Sequence, residues 1–366
     1  MTQRRIPAVY LRGGTSKGVF FHGRDLPADP AERERVLLRV AGSPDPYGKQ
    51  IDGMGAATSS TSKVVVITPS ARPDCDVDYL FGQVAIDRAA IDWSGNCGNL
   101  TSAVGPFAVS EGLRAVVRIW QANIGKRIVA HVPVKGGEVV EEGDFALDGV
   151  TFPSAEIRLE FLDPGGGDEG SDGGALFPTG RVVDTLEVPG VGPIEATLVT
   201  AGNPTVFVEA KALGLAGTEL QGDVNGDKAL LARLESVRAQ AAVAMGLAAS
   251  AAQATRDRPA TPKLAFVSPP QSYTASDGKR VEAEGLSITA RILSMGVLHH
   301  AMTGTGAVAI AVAAAIPGTI VHRVLRPGSD PARIVFGHPS GTLAVGAEAV
   351  QEGGQWKVAK AVLSRS

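Results

Sequence analysis

The chain has 366 residues, of which 44% are hydrophobic and 20% are charged, so an intrinsically disordered chain is excluded. Its 35 basic and 38 acidic residues give a formal net charge of -3, which removes the electrostatic argument for nucleic-acid binding. The length favours two domains, and 45 glycines with only 5% aromatic residues favour short strands and turns around an aliphatic core.

Membrane and secretory signals are weak. The first twenty residues contain no apolar run of signal-peptide length, and the most apolar stretch, 307–316, is shorter than the roughly 20 residues of a membrane span. The two cysteines, Cys75 and Cys97, form no CxxC pair and no disulfide framework. We therefore expect a cytoplasmic protein with free thiols and no membrane partner.

The first half of the chain alternates helical and strand patterns. An amphipathic pattern predicts an outer helix at 30–40, and β-branched runs predict strands at 64–67, 116–119 and 128–130. Segment 100–109 is apolar on nearly every face, which is typical of a helix buried all round.

The second half repeats these patterns after an acidic, glycine-rich linker at 162–174, predicted to be mobile. Strands are predicted at 196–199 and 205–208, an outer helix at 228–245, and a second fully buried helix at 307–316.

One buried helix in each half predicts an α+β fold with two similar domains. Each domain is expected to be a curved, mostly antiparallel sheet wrapped around its central helix, with domains at 1–182 and 183–366.

Two segments resemble the motifs of common cofactor-binding sites, but neither motif is complete. Segment 12–18 lacks the Lys-Ser/Thr ending of a phosphate-binding loop, and the GxGxxA match at 304–309 lacks the acidic residue expected about 20 positions later. His299 and His300 are adjacent, so their side chains should point apart, and packing or substrate contact is a better interpretation than a metal site. No cofactor and no metal are predicted.

Clusters of small and polar residues at 96–99 and 303–306 precede the two buried helices. The backbone N–H groups at a helix N-terminus bind carboxylates, so two such ends facing one cleft would hold a substrate with several carboxylates. Alternatively, Asn96 and Thr303 are ordinary helix caps. The duplication favours the substrate site.

Two side chains are candidates for proton chemistry. Lys63 opens an apolar strand after a run of hydroxyl residues, and a desolvated lysine there would be a general base; a surface lysine at a strand end is the alternative. Cys97 stands at a predicted helix start that favours a thiolate, although it could equally be a buried filler. Cys75 has acidic neighbours and receives no role.

The two helix starts resemble those of the diaminopimelate epimerase fold, in which each start carries a cysteine. Here the second position is Thr303, which argues against a two-thiol racemisation. A closer resemblance, to the PrpF family of isomerases, covers nearly the whole chain. The segments that carry it are 11–21, 42–55, 59–66, 92–100, 120–126, 294–302 and 336–343.

This resemblance implies a cofactor-independent isomerase of the methylcitrate cycle of propionate catabolism. It would convert 2-methyl-trans-aconitate to 2-methyl-cis-aconitate by proton abstraction, rotation and reprotonation. The family's catalytic lysine and cysteine fall on Lys63 and Cys97. The expected substrate-binding residues are Arg12, Gly14, Thr15, Ser16, Lys17, Ser62, Asn96, Gly98, Asn99, Thr303, Gly304 and Thr305. Lys17 or Arg12 is expected to stabilise the developing negative charge.

The sequence departs from the family pattern at Asn203, where an apolar residue is expected, and slightly at 303–306. The resemblance therefore identifies the family more firmly than the particular acid. A 4-oxalomesaconate tautomerase, a methylitaconate delta-isomerase and a non-catalytic accessory protein of an aconitase-like dehydratase stay open as alternatives. A functional link to an aconitase-like 2-methylcitrate dehydratase, a homo-oligomer and a tail beyond Ser366 are further expectations.

Overall fold

A computed structural model describes residues 3–165 and 175–366 of the chain. The predicted linker at 162–174 therefore lies, for residues 166–174, outside the described residues. Its first residue, Leu162, ends a strand.

The described part of the first half contains ten strands and two α-helices. The strands are β1 (Val9–Gly13), β2 (Ser16–His22), β3 (Lys63–Pro69), β4 (Val77–Val84), β5 (Ile91–Asp92), β6 (Val116–Gln121), β7 (Lys126–His131), β8 (Val134–Lys135), β9 (Glu138–Val139) and β10 (Ile157–Leu162). The helices are α1 (Pro30–Ala41) and α2 (Thr101–Ser110).

The described part of the second half contains eleven strands and five helices. The strands are β11 (Asp184–Val188), β12 (Gly192–Ala201), β13 (Asn203–Glu209), β14 (Lys263–Ser268), β15 (Tyr273–Thr274), β16 (Arg280–Val281), β17 (Ile288–Ser294), β18 (Val297–Leu298), β19 (Ile334–His338), β20 (Gly341–Glu352) and β21 (Gln355–Arg365). The helices are α3 (Gln221–Asn225), α4 (Lys228–Ala244), α5 (Ala251–Asp257), α6 (Gly304–Ala315) and α7 (Ile320–Arg323). Each strand and helix predicted from the sequence is present.

The two halves share one topology. In the first half the pairs β1–β2, β3–β4, β6–β7 and β7–β10 are antiparallel, while β2–β3 and β4–β6 are parallel. In the second half β12–β13, β14–β17, β19–β20 and β20–β21 are antiparallel, while β13–β14 and β17–β19 are parallel. In sequence, α2 stands between β4 and its parallel neighbour β6, and α6 stands between β17 and its parallel neighbour β19. This repeat confirms the prediction of two similar domains.

Helices α2 and α6 are the centres of the core. Every residue of α6 from Gly304 to Ala314 is buried, and eight residues of α2 are buried. Both helices belong to one hydrophobic cluster, which the strands of both halves surround. The amphipathic helices α1 and α4 instead cover the outer face of β3 and of the second-half strands, respectively, as predicted.

The halves are joined by a continuous sheet. The last strand, β21, pairs with β20 of its own half and with β10 of the first half, so seventeen strands form one sheet. The domain boundary at 182/183 stays a prediction. Within the described ranges, the helices are all too short or too polar to cross a membrane.

Candidate active site

A cavity opens between the two halves, where the starts of β3 and β14 meet the starts of α2 and α6. Its wall is formed by Ser16, Ser59, Lys63, Phe81, Gln83, Asp92, Gly95, Asn96, Cys97, Gly98, Asn99, Asn203, Ala260, Lys263, Ser294, His299, Thr303, Gly304 and Thr305. Parallel pairing of β3 with β2, and of β14 with β13, brings one strand start from each half to this place.

The two helix starts touch backbone to backbone. A methyl group placed on Gly98 would lie 2.7 Å from the carbonyl carbon of Gly304, and one placed on Gly304 would lie 2.6 Å from the amide nitrogen of Asn99. Only glycine permits this approach. Thr303 caps α6 by accepting a hydrogen bond from the amide of Gly306 (3.1 Å), whereas Asn96 caps nothing, because α2 begins later, at Thr101. Thr303 is therefore a helix cap, and Asn96 is not.

Lys63 is the first residue of β3 and is 7% exposed. Its Nζ donates to Oε1 of Gln83, the cross-strand neighbour on β4, at 2.5 Å and lies 4.9 Å from the centre of the Phe81 ring. Burial lowers the pKa of Lys63 below its ordinary value, and a hydrogen bond and charge interaction with Cys97 oppose that shift. The alternative of a surface lysine is wrong.

Lys263 occupies the equivalent place in the second half, which we did not predict. It is the first residue of β14, and its Nζ donates to Ala260 O (3.1 Å) and lies 3.5 Å from Ser294 Oγ. Burial, and then the positive charge of Lys63, lower the pKa of Lys263 to about 8. The cavity therefore holds two buried amines whose charges disfavour each other.

This pKa shift predicts a dependence of stability on pH. Between about pH 8 and the ordinary lysine pKa of 10.5, the unfolded chain binds a proton at Lys263 that the folded chain has released, so the free energy of unfolding rises with pH. In the wild type this rise in the free energy of unfolding should be about 3 kcal/mol, and Lys263→Met should lack it. The variant should therefore be more stable than the wild type at pH 7. Urea unfolding of both proteins from pH 7 to pH 10.5 measures this, and parallel curves would contradict it.

Asn203 of the second half forms hydrogen bonds to Asn96 of the first half at the cavity. Its Oδ1 accepts from the backbone N–H of Asn96 (2.7 Å), and its Nδ2 donates to Asn96 O (2.9 Å) and to Thr305 Oγ1 (3.2 Å). Asn96 itself is 3% exposed, and in the described part of the chain its Nδ2 has no hydrogen-bond partner. A buried donor of this kind on a cavity wall is available to a ligand.

We expect Asn203→Leu to lower the free energy of unfolding by about 2 kcal/mol or more, because it leaves the buried N–H and C=O of Asn96 unpaired. Thr305→Val is the matched control: it removes only the contact at 3.2 Å and should cost less. Chemical denaturation measures both. If both variants lost the same free energy of unfolding, the hydrogen bonds from Asn203 to Asn96 would not contribute to stability.

His299 and His300 do not point apart as predicted. Their rings stack at 4.7 Å, and Ser60 Oγ lies 3.0 Å from His299 Nε2 and 3.4 Å from His300 Nδ1. The Ala301 amide donates to His299 Nδ1 (3.0 Å), so the neutral ring carries its proton on Nε2 and donates to Ser60. Burial, and then nearby positive charge, hold the pKa of His299 well below its usual range.

Basic side chains outnumber acidic ones in this region. Besides the two lysines, buried Arg365 donates to Asn99 Oδ1 (2.9 Å), and burial lowers its pKa to about 9. Of the described residues that line the cavity, Asp92 is the one acidic side chain, and it is occupied by the amides of Ser94 and Ala260. A polyanionic ligand would supply the missing negative charge.

Nine of the predicted site residues line the cavity: Lys63, Cys97, Ser16, Asn96, Gly98, Asn99, Thr303, Gly304 and Thr305. Five are not part of its wall. Arg12 binds Ser366, Lys17 lies over the Tyr10 ring, and Ser62 accepts from Gln50. Thr15 Oγ1 accepts from Nδ2 of the wall residue Asn99, and the Gly14 amide donates to Ser366 O.

Lys263, Gln83 and Asp92 line the cavity without having been predicted, and His299 was predicted only to pack or to contact substrate. Lys263 had a detectable signal, because it opens an apolar strand as Lys63 does. Gln83 and Asp92 carried no such signal. In the ranges that the structure describes, no group of three or more His, Cys, Asp or Glu residues is placed to bind a metal ion.

The fold, in which two similar halves each surround a buried helix, is shared with solved structures. A crystal structure described as a probable proline racemase from Agrobacterium radiobacter shares the fold at 13% identity, with a TM-score of 0.51 over 98% of this chain and 90% of that one. The predicted fold class is confirmed.

Comparisons of sequence are more specific. The model of the PrpF protein family matches residues 3–366, so the chain belongs to the PrpF family, as its sequence motifs indicate. The 2-methyl-aconitate isomerases of Shewanella oneidensis and Cupriavidus necator are 57% and 59% identical over the whole chain, covering 94% and 95% of those proteins. A methylitaconate-delta-isomerase crystal structure is 39% identical, with a TM-score of 0.76 over 100% of this chain and 94% of that one. The chain is an isomerase that acts on a small molecule.

Proposed function

We propose that this isomerase converts 2-methyl-trans-aconitate to 2-methyl-cis-aconitate in propionate catabolism. The observation that carries the proposal is the full-length similarity to two 2-methyl-aconitate isomerases, at 57% and 59% identity. A cavity with two buried lysines and a single acidic side chain on its described wall supports a substrate with three carboxylates.

We assign Lys63 as the general base. Rotation about a C=C bond needs single-bond character, which arises when a proton is removed from the methylene group beside the alkene. The neutral amine of Lys63 takes that proton, and the C–H electrons spread over the allylic system and its carboxylate. Burial favours the neutral amine, as this step requires. Rotation and return of a proton to carbon complete the isomerisation.

The developing negative charge needs donors that are already in place. We propose the Nδ2 of Asn96 and the first amides of α6, those of Gly304 and Thr305, which have no partner in a preceding helical turn. Cys97 contacts the base and is proposed to position it and to shield the reacting carbon. Ser16, Gly98, Asn99 and Thr303 are proposed to complete the binding wall.

Proton NMR of the alkene region tests the substrate assignment. We expect the purified protein alone to isomerise 2-methyl-trans-aconitate faster than it acts on methylitaconate or 4-oxalomesaconate. Similarity to the methylitaconate-delta-isomerase structure makes methylitaconate the important competitor. Preference for either competitor would overturn the assignment, and activity of the protein alone removes the accessory-protein alternative.

We further propose a cytoplasmic location and a functional link to an aconitase-like dehydratase that delivers the trans isomer. Two unpaired, buried cysteines support the location, because reducing compartments keep thiols free. The homo-oligomer stays a prediction.

A further inference from the structure

The internal repeat relates the two lysines to each other. Lys63 opens β3 and Lys263 opens β14, and each of these strands runs parallel to the strand before it. Lys63 pairs across the sheet with Gln83, and continuing the register of β14 with β17 places Ser294 opposite Lys263. In each half the amine points toward this cross-strand partner, at 2.5 Å and 3.5 Å.

The helix starts obey the same relation. Cys97 and Gly98 stand just before α2, Thr303 and Gly304 stand at the start of α6, and the two glycines touch. Ser16 and Asn203, the first residues of β2 and β13, also line the cavity. The amines of the two lysines therefore enter one cavity from its opposite halves.

We propose that Lys263 is a second catalytic acid–base residue and that the two amines act as a pair, one taking a proton from the substrate and the other returning one. This inference rests on the proposed function, because it assumes an allylic carbanion. A mechanism with a single base would need only one buried lysine, and the acid–base pair accounts for the second.

The step balances. The lone pair of neutral Lys63 takes the C–H proton, and the C–H electrons enter the allylic system. After rotation, an N–H bond of the Lys263 ammonium breaks and its proton goes to carbon. Lys63 ends as the ammonium and Lys263 as the amine, so the pair is used in the opposite sense for the reverse reaction. Repulsion between the two charges favours one amine and one ammonium, which this exchange requires.

The test measures isomerisation and exchange separately by NMR in D₂O, with 2-methyl-trans-aconitate as the probe. For Lys263→Met we expect isomerisation to fall at least about 100-fold. Exchange of the methylene hydrogens of recovered trans acid should stay within roughly tenfold of the wild type, because Lys63 still removes and returns hydrogen on its own side. Lys63→Met should show the converse, with exchange kept in the cis acid alone.

Lys263→Arg separates acid–base work from simple attraction of a carboxylate. Arginine keeps the positive charge and does not release its proton at neutral pH, so we expect this variant to be as inactive as Lys263→Met. Recovery to within about threefold of the wild type would reduce Lys263 to an anchor and overturn the proposal. Lys211→Met, at an exposed position, is the control for the loss of a lysine and should leave the rate unchanged.

The deuterium content of the first product tests independently whether one amine or two take part. A lone amine would return its captured hydrogen in roughly one third of turnovers, since the ammonium carries three equivalent hydrogens. A pair should place solvent deuterium in nearly every product molecule, and return of about one third protium would contradict it. If the wild type isomerises none of the three acids, the proposed function fails. If it isomerises 2-methyl-trans-aconitate and Lys263→Met does so almost equally well, only the inference about Lys263 fails.

Discussion

Lys63→Met is expected to lower the turnover of 2-methyl-trans-aconitate by about 10³-fold while the protein stays folded. Methionine has a similar length and no titratable amine, so it fills the space beside Phe81 without supplying a base. The loss should fall on kcat more than on KM, because the amine is proposed to act on the reacting carbon while other donors on the wall are proposed to hold the carboxylates.

Cys97→Ser is the matched comparison, because it changes one atom of the side chain that contacts Lys63. We expect a smaller loss, of about tenfold, since the proposed role of the thiol is to position the base and not to take the proton itself. Steady-state kinetics with thermal unfolding of both variants measures these effects. Turnover by Lys63→Met close to that of the wild type would remove Lys63 as the base, and a larger loss in Cys97→Ser would reverse the two roles.

Gly304→Ala is expected to lower the free energy of unfolding by about 3 kcal/mol and turnover by at least tenfold. The added methyl group would lie 2.6 Å from the amide nitrogen of Asn99, and the atoms around it are backbone, which cannot rotate away. Relief would require the starts of α2 and α6 to separate, and this displaces Cys97 and Asn96 relative to the cavity. Preorganised donors lose much of their effect when they move by about 1 Å.

Gly222→Ala is the control for a glycine-to-alanine change. Gly222 lies in α3 with a negative φ and open space where the methyl group would stand. Its stability should be unchanged or raised by up to about 1 kcal/mol, because alanine favours the helix. Urea denaturation and the isomerase assay apply to both variants. A Gly304→Ala protein as stable and active as Gly222→Ala would show that the close contact between the helix starts is not needed.

Local patterns in the sequence were sufficient for the secondary structure and the fold class. The apolar faces of 100–109 and 307–316 predicted helices buried all round, because a helix without a polar face cannot lie at a surface. The β-branched runs between turn residues predicted strands that the structure contains. Family motifs along the whole chain were sufficient to identify the isomerase.

Contacts between distant residues were decided by strand register and by the approach of the two halves. Lys263 is 200 positions from Lys63, and only the repeated order of parallel and antiparallel strands brings both amines to one cavity. The same tertiary structure takes Arg12 to the chain end and stacks His299 on His300. Sequence by itself determined which segments are buried, because burial follows the local hydrophobic pattern. It also determined the family, because the family motifs are local strings of residues. Which side chains line one cavity was decided by the packing of backbone on backbone at Gly98 and Gly304, and this contact between distant segments is not encoded in a local pattern.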